Sequence, residues 1–421
     1  MNIIANLAYH SLFNRKITVS LTIISIALSV FLFLGVEKIR TSAKNSFTST
    51  ITNTDLIVGA RSGQIQLLLY SIFQIGNATN NFTWESFQKI AKHPDIEWIV
   101  PISLGDSLYQ FRVMGTTSEY FTRYKYRGNK NLVFEEGVKF NDLYDAVIGA
   151  EVAKTLNYKI NDPIIVAHGL ASVQKHEDHP FRISGILKKT GTPVDRLVLV
   201  SLEAIEAIHI DWETGIKIPT RDNSTNENKK LDKKKLIPKE ITAAMIGVKS
   251  RMKVFQLQRE INEYAKEPLL AILPGVALSE LWRIISYVET TLQVISGIVI
   301  ITALLGMIAI IFASLNERRR EMAILRSIGA SPHTILGLLM IESIFMSIAG
   351  VVLGLFVLYV VLIFIYPFLN NTFGIYIEVA PIYGREITIL LSIIIMSSIV
   401  SIIPALRAYR LSLNDGMMPD S

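Results

Sequence analysis

The stretch Asn316-Glu-Arg-Arg-Arg-Glu-Met-Ala-Ile-Leu-Arg-Ser-Ile-Gly-Ala330 is a charged, amphipathic helix pattern set between two long apolar runs. Arg318, Arg319, Arg320 and Arg326 put four positive charges into a short segment between membrane-type sequences. Cytoplasmic loops are the ones enriched in Lys and Arg. The segment is therefore read as facing the cytoplasm, and that assignment orients the rest of the chain.

Composition agrees with a membrane class. Of 421 residues, 50% are hydrophobic and 19% charged, and the mean hydropathy is +0.38, too apolar for an ordinary soluble domain. The net charge of +6 does not point to nucleic acid, because the arginines flank apolar runs and the lysines cluster in one polar stretch. With no cysteine in the chain, disulfides and thiolate metal sites are excluded.

Outward from the opening segment, the apolar runs define four transmembrane helices in a 1+3 arrangement. Ile17 to Val36 is uncharged and long enough for the roughly 20 residues a crossing helix needs. It lacks the short core and small-residue cleavage site of a signal peptide, so it is expected to be retained. The second run is Thr290 to Asn316, the third is Ile335 to Tyr366 with Glu342 its only charge, and the fourth is Ile387 to Leu406. The predicted spans are 17–36, 288–315, 335–366 and 387–406.

Four crossings place Arg15 and Lys16, the arginines of loop 316–334, and Arg407 with Arg410 on one side. Both termini, 1–16 and 407–421, are thus predicted to be cytoplasmic. Residues 37–287 and the short loop 367–386 fall outside. Long domains translocate largely regardless of charge, so the lysines between Asn228 and Lys235 do not oppose this orientation.

The outer region reads as a folded α+β domain. Trp98–Ile102, Tyr109–Met114, Ile164–Ala167, Phe181–Leu187 and Leu197–Val200 have strand patterns bounded by Gly, Pro, Asn and Asp. Trp84–Lys92, Glu151–Leu156, Leu202–His209 and Lys253–Tyr264 have the i, i+3, i+4 apolar spacing of surface helices. The Asn- and Lys-rich stretch 217–240 is too polar to bury and is expected to be a mobile loop. Residues Asn2 to Lys16 carry a helix-like pattern, which by itself reads as a cytoplasmic extension of the first span.

Chemistry-bearing motifs are few. No phosphate-binding Gly-x-x-x-x-Gly-Lys-Ser/Thr loop occurs, and the nearest fragment, Gly149 to Thr155, lacks the glycine before the lysine. Any ATP must therefore be bound by another subunit, and no catalytic or cofactor-binding residue is assigned. His168, His176 and His179 are candidate metal ligands, since imidazole suits zinc. The spacing of the last two is not that of a zincin helix, and Pro180 follows, so a solvated turn is the favoured reading.

In the third span Glu342 is expected to pair with an arginine of the inner loop or to reach headgroup depth. Gly350 and Gly354 form a small-xxx-small pair suited to close helix packing, including contact with a second copy. Pro404 is expected to kink or end the fourth span.

Glu321-Met-Ala-Ile-Leu-Arg-Ser-Ile-Gly-Ala330, together with the following helix bearing Glu342 and Gly350-Val-Val-Leu-Gly354, resembles the FtsX/MacB/LolC-LolE family of ABC-transporter permeases. One N-terminal helix, a large outer domain and three C-terminal helices match that family's layout. Asp55–Ala60 and Gly191–Arg196 resemble segments of its periplasmic domain. Asn2 to Lys16 also resembles its elbow helix, and that resemblance implies an amphipathic elbow along the inner membrane surface.

The resemblance implies a non-catalytic permease subunit in a bacterial inner membrane, surrounded by lipid and paired with a second permease copy as homodimer or heterodimer. It implies two copies of an ABC ATPase partner that bind ATP and Mg, with closure transmitted to the outer domains for export or extraction of a substrate, or action on a periplasmic partner. It makes Glu317, Arg318, Arg320, Glu321, Met322, Ile324, Leu325, Arg326 and Gly329 an ATPase-coupling helix. Apolar contacts ringed by charge suit such docking. An interfacial helix lying on anionic headgroups is the other reading of that segment. The alternative functions are a membrane-anchored extracytoplasmic sensor and a metal-binding protein or enzyme.

Overall fold

The computed structural model describes residues 16–50, 52–169, 179–210, 236–327, 329–373 and 384–414, with only the helical backbone described over 313–326. The chain divides into two compact units, one carrying the four long apolar helices and one spanning chiefly Ala43–Ile285. The first apolar helix lies near the N-terminus, and the large α+β domain falls between it and the second.

The helices are longer than the apolar runs. They cover Lys16–Thr50, Pro274–Ser327, Pro332–Phe373 and Arg385–Asn414, while the membrane-type windows are Val19–Ser42, Pro274–Ala309, Leu336–Phe368 and Glu386–Ile403. A crossing needs only ~20 residues, so the 54-residue second helix exceeds any hydrocarbon requirement. Its early residues Leu281 and Trp282 instead pack on the outer domain's core. Pro404 does not end the fourth helix, which runs on to Asn414.

An eleven-stranded mixed sheet organises the outer domain. Its order is Leu269–Ile272, Leu56–Ala60, Ala243–Val248, Ile96–Leu108, Phe111–Thr116, Leu197–Ser201, Asp145–Ile148, Phe181–Leu187, Phe134–Gly137. Ala167–His168 joins Ile96–Leu108, and Pro163–Ile164 joins Phe181–Leu187. Leu197–Ser201 runs parallel to Phe111–Thr116, and Phe181–Leu187 parallel to Asp145–Ile148; the other pairings are antiparallel.

Both faces of this sheet are covered, which is why its central strands are apolar throughout rather than alternating. Side chains alternate across a strand, so Ile57, Met245 and Leu199 join one cluster, while Val58, Ala244 and Val198 face the other way into two further clusters. Phe111 and Phe181 are fully buried, each contributing about 1.5–3 kcal/mol of burial. Where Gly247 faces Trp98 in register, the indole occupies the space a β-carbon would need.

Three local expectations change. Tyr109 does not start a strand: with φ 53° it sits in the turn of a tight hairpin closed by Leu108 and Phe111, a left-handed position its apolar neighbours do not announce. Ile164 to Ala167 is not one strand, because Pro163–Ile164 and Ala167–His168 pair with different partners. The C-terminal end of 217–240 is ordered: Leu236 is buried and Glu240–Ile241 pairs with Phe82–Thr83. The elbow 1–15, residues 170–178 with His176, and 211–235 lie outside the described residues.

Candidate functional site

At the inner end of the second membrane helix, residues 316–327 continue that helix without a break and do not form a separate element. The turn comes at Gly329, whose φ of +94° is open to glycine at no steric cost. Ser331 Oγ then accepts from Thr334 N at 3.3 Å, an N-cap for the next helix with Pro332 at its first position. Of the proposed coupling residues, Gly329 is thus placed at the turn. Glu317, Arg318, Arg320, Glu321, Met322, Ile324, Leu325 and Arg326 lie on the helical backbone, and their side chains are outside the described residues.

Within the membrane unit, the glycine pair is used inside the chain. An ideal β-carbon on Gly350 would meet Ile26 Cβ at 2.7 Å, and one on Gly354 would meet the Ala27 carbonyl oxygen at 2.7 Å. The first helix therefore occupies the face that the sequence also offered to a second copy. Glu342 is buried, 7% exposed. Next to it, Ser343 Oγ donates to the Leu339 carbonyl at 2.9 Å, a short polar patch on an otherwise apolar helix.

Charged residues gather at the outer end of the same bundle. Lys38 Nζ donates to Glu386 Oε1 at 3.3 Å, tying the first helix to the fourth. Arg40 reaches Glu37 at 3.4 Å and Glu289 of the second helix at 3.6 Å. These residues flank the uncharged runs Ile17–Val36, Thr290–Asn316 and Ile387–Leu406, where charged groups can reach the membrane boundary.

In the outer domain, a polar cluster forms at the far end of Ile96–Leu108. Pairing with Ala243–Val248 stops at Ile102, and the register to Phe111–Thr116 shifts between Leu104 and Ser107. Such bulges re-aim side chains. Asp106, on the bulged segment, is 4% exposed. Its pairing partner on the added strand is His168, held further by Gly169 N donating to Gly105 O at 2.8 Å. His209, the last residue of Leu202–His209, enters from a helix whose start is capped by Ser201 Oγ accepting from Ala204 N.

His168 Nδ1 lies 3.1 Å from His209 Nε2 and 3.3 Å from Asp106 Oδ1, and His209 Nε2 lies 3.5 Å from the same oxygen. His209 Nδ1 is 2.7 Å from the Ile205 carbonyl, to which it donates, so Nε2 faces the cluster. Burial works against the charged form of Asp106, but the two imidazoles outweigh it and hold the carboxyl below its ordinary range. Burial likewise works against a charged His209, yet Asp106 raises that imidazole above its ordinary value.

Asp106 and Gly169 also form part of the wall of a cleft of about 410 Å³, with Asn77, Asn81, Arg112 and Glu240. Arg112 donates to Gly76 O at 2.6 Å and to Asn77 Oδ1 at 2.9 Å. Of the histidines singled out in the sequence, His168 is in this cluster, while His179 stacks on Tyr144 with ring centroids 5.3 Å apart. Asp106 and His209 were missed, because nothing local in the sequence reveals a bulge or which helix end meets which strand.

The four helices with a large domain after the first define a multi-pass membrane protein with an extracytoplasmic domain. Residues 19–263 match the MacB-like periplasmic core domain, and residues 293–413 match the FtsX-like permease C-terminal domain. The chain belongs to the FtsX/MacB-type family of ABC transporter permeases, whose FtsX-like domains are typically non-catalytic transmembrane subunits. Among curated proteins, none matches its sequence. The periplasmic region of MacB from Actinobacillus actinomycetemcomitans is similar at 11% identity and TM-score 0.34, covering 56% of this chain and 94% of that one. The extracellular domain of the noncanonic ABC-type transporter YknZ from Gram-positive bacteria is similar at 14% identity and TM-score 0.30, covering 52% and 100%.

Proposed function

We propose that this permease transmits ATP-driven motion of a separate ATPase across a bacterial inner membrane to its outer domain, for export or extraction of a substrate at the outer face. Two permease copies, identical or related, pair with two ATPase subunits that hold ATP and Mg, and both termini of the chain face the cytoplasm. The docking element on this chain is 316–327.

The observation that carries the reading is one of connectivity. The first helix ends at Thr50 shortly before the strand Leu56–Ala60, and the second begins at Pro274 directly after the strand Leu269–Ile272. Those two strands pair with each other, Ile57 opposite Ile272. A displacement along either long helix is therefore delivered to adjacent, hydrogen-bonded strands. The second helix is continuous in sequence from Pro274 to Ser327, so the docking element and Pro274, just after Leu269–Ile272, belong to one helical segment.

The test is co-purification of the full chain with its ATPase and measurement of hydrolysis. Met322→Asp combined with Leu325→Asp is expected to weaken assembly and lower the hydrolysis rate at least tenfold. Unchanged assembly and hydrolysis would remove the docking assignment.

A further inference from the structure

We propose that Asp106, His168 and His209 form a binding site for one divalent transition-metal ion of the zinc class in the outer domain. The three potential ligand atoms form a triangle with edges of 3.1, 3.3 and 3.5 Å. Zinc holds imidazole nitrogen and carboxylate oxygen at about 2.0–2.2 Å in a tetrahedron, which separates neighbouring ligand atoms by about 3.3 Å. The observed triangle is therefore one face of that tetrahedron, needing only small shifts to seat the ion.

Protons alone serve the cluster less well. His209 commits its Nδ1 proton to the Ile205 carbonyl, the outer-shell arrangement that fixes a ligating tautomer. When both rings are neutral, the His168 Nδ1 proton can bridge only one edge of the triangle. Asp106 Oδ1 is buried and makes no aligned hydrogen bond, although both ring nitrogens approach it. A cation seated just off that face satisfies the oxygen and both nitrogens together.

The donor set of two imidazoles and one carboxylate suits zinc, with nickel and copper as competitors, and disfavours calcium and magnesium, which take oxygen ligands. Entry is available, because the His168 side chain is 45% exposed and Asp106 also lines the neighbouring cleft. Three protein ligands leave the fourth position to water or to a group of a bound molecule. Since the ligands come from the bulged strand, the added strand and a helix end, the ion would staple Ala167–His168 and Leu202–His209 to the sheet.

The experiment uses the full chain in detergent, stripped with chelator and then dialysed against micromolar ZnCl2 or CoCl2. The wild type is expected to retain one equivalent of zinc, to melt at a higher temperature with zinc than without, and to give the intense visible bands of four-coordinate cobalt. His168→Ala and His209→Ala are expected to weaken binding at least tenfold and to abolish the zinc-dependent melting shift. His176→Ala/His179→Ala and His93→Ala should bind as the wild type does. Absence of stoichiometric zinc in the wild type overturns the site, as does retention in both His168→Ala and His209→Ala, or loss only in His176→Ala/His179→Ala. Should His209→Ala misfold, the half-exposed His168 variant and the wild-type cobalt spectrum decide between the same outcomes.

Discussion

Gly354 of the third membrane helix approaches Ala27 of the first so closely that a β-carbon on the glycine would stand 2.7 Å from the alanine's carbonyl oxygen. Small residues at such crossings let helix backbones touch, which is how association is driven where lipid removes the hydrophobic gain. Gly354→Val must push the helices apart, at an overpacking cost of about 1–3 kcal/mol. Its thermal midpoint in detergent is expected to fall by several degrees. Gly297→Ala, where an added β-carbon would meet no packed neighbour within 4 Å, should leave the midpoint unchanged or raise it through better helix propensity; an equal fall in the two variants would refute the packing role.

A second prediction concerns the turn at 190–195. The Asp195 carboxylate accepts from Thr190 N at 2.8 Å, Thr190 Oγ1 at 2.8 Å and Gly191 N at 2.6 Å, all buried. It fixes Gly191 at a φ of +68°. Asp195→Ala orphans the two buried amides, while the Thr190 hydroxyl keeps Thr192 Oγ1 at 2.7 Å, at a cost of more than about 2 kcal/mol. Amide hydrogen exchange at Thr190 and Gly191 in the full chain is expected to accelerate at least tenfold, and unchanged protection would show that the carboxylate does not hold the turn.

The sequence made the four crossings legible because lipid demands a long uninterrupted apolar run, and nothing else in a chain of this size meets that demand. The helical ends 37–50 and 274–287 were not legible in the same way. They are polar or mixed, and part of them is ordered by contacts such as Phe47 and Trp282 on Phe73 and its neighbours. Strands Phe181–Leu187 and Leu197–Ser201 were readable from their own patterns, whereas Leu56–Ala60 was noticed only as a family-like segment. The Asp106–His168–His209 cluster depends on a bulge and on a helix end 41 residues from its strand partner, and no local pattern encodes that meeting.

Acid sensitivity is predicted at Asp145. Its Oδ1 accepts from Arg182 Nη2 at 2.8 Å, and its Oδ2 accepts from the amides of Asn141 and Asp142 at 3.1 and 2.9 Å. Burial works against the carboxylate, but Arg182 and the two amides prevail and hold its pKa below the ordinary value. The folded pKa is thus below the unfolded one. Its stabilisation is present above about pH 4 and lost as pH falls through the folded pKa. Between about pH 5 and pH 3, the melting midpoint of Asp145→Asn should drop less steeply than that of the wild type. Parallel slopes would assign the acid loss to other carboxylates.

The joint between helices and sheet gives the last prediction. Phe47, near the end of the first helix, and Trp282, near the start of the second, meet edge to face with ring centroids 5.8 Å apart, and Phe47 also lies 4.6 Å from Phe73. Edge-to-face pairs contribute about 0.5–1.5 kcal/mol beyond the area they bury. On the proposed mechanism, this aromatic contact holds both helix ends to the core as they move, so that displacement reaches Leu56–Ala60 and Leu269–Ile272 without slack. Trp282→Ala is expected to leave the ATPase attached, since 316–327 is untouched. The nucleotide-dependent change in amide exchange across Leu56–Ala60 should shrink several-fold. If that response persists at full size in Trp282→Ala and in Phe47→Ala, motion reaches the sheet through the helix–strand connections alone, and the aromatic contact is only a packing element.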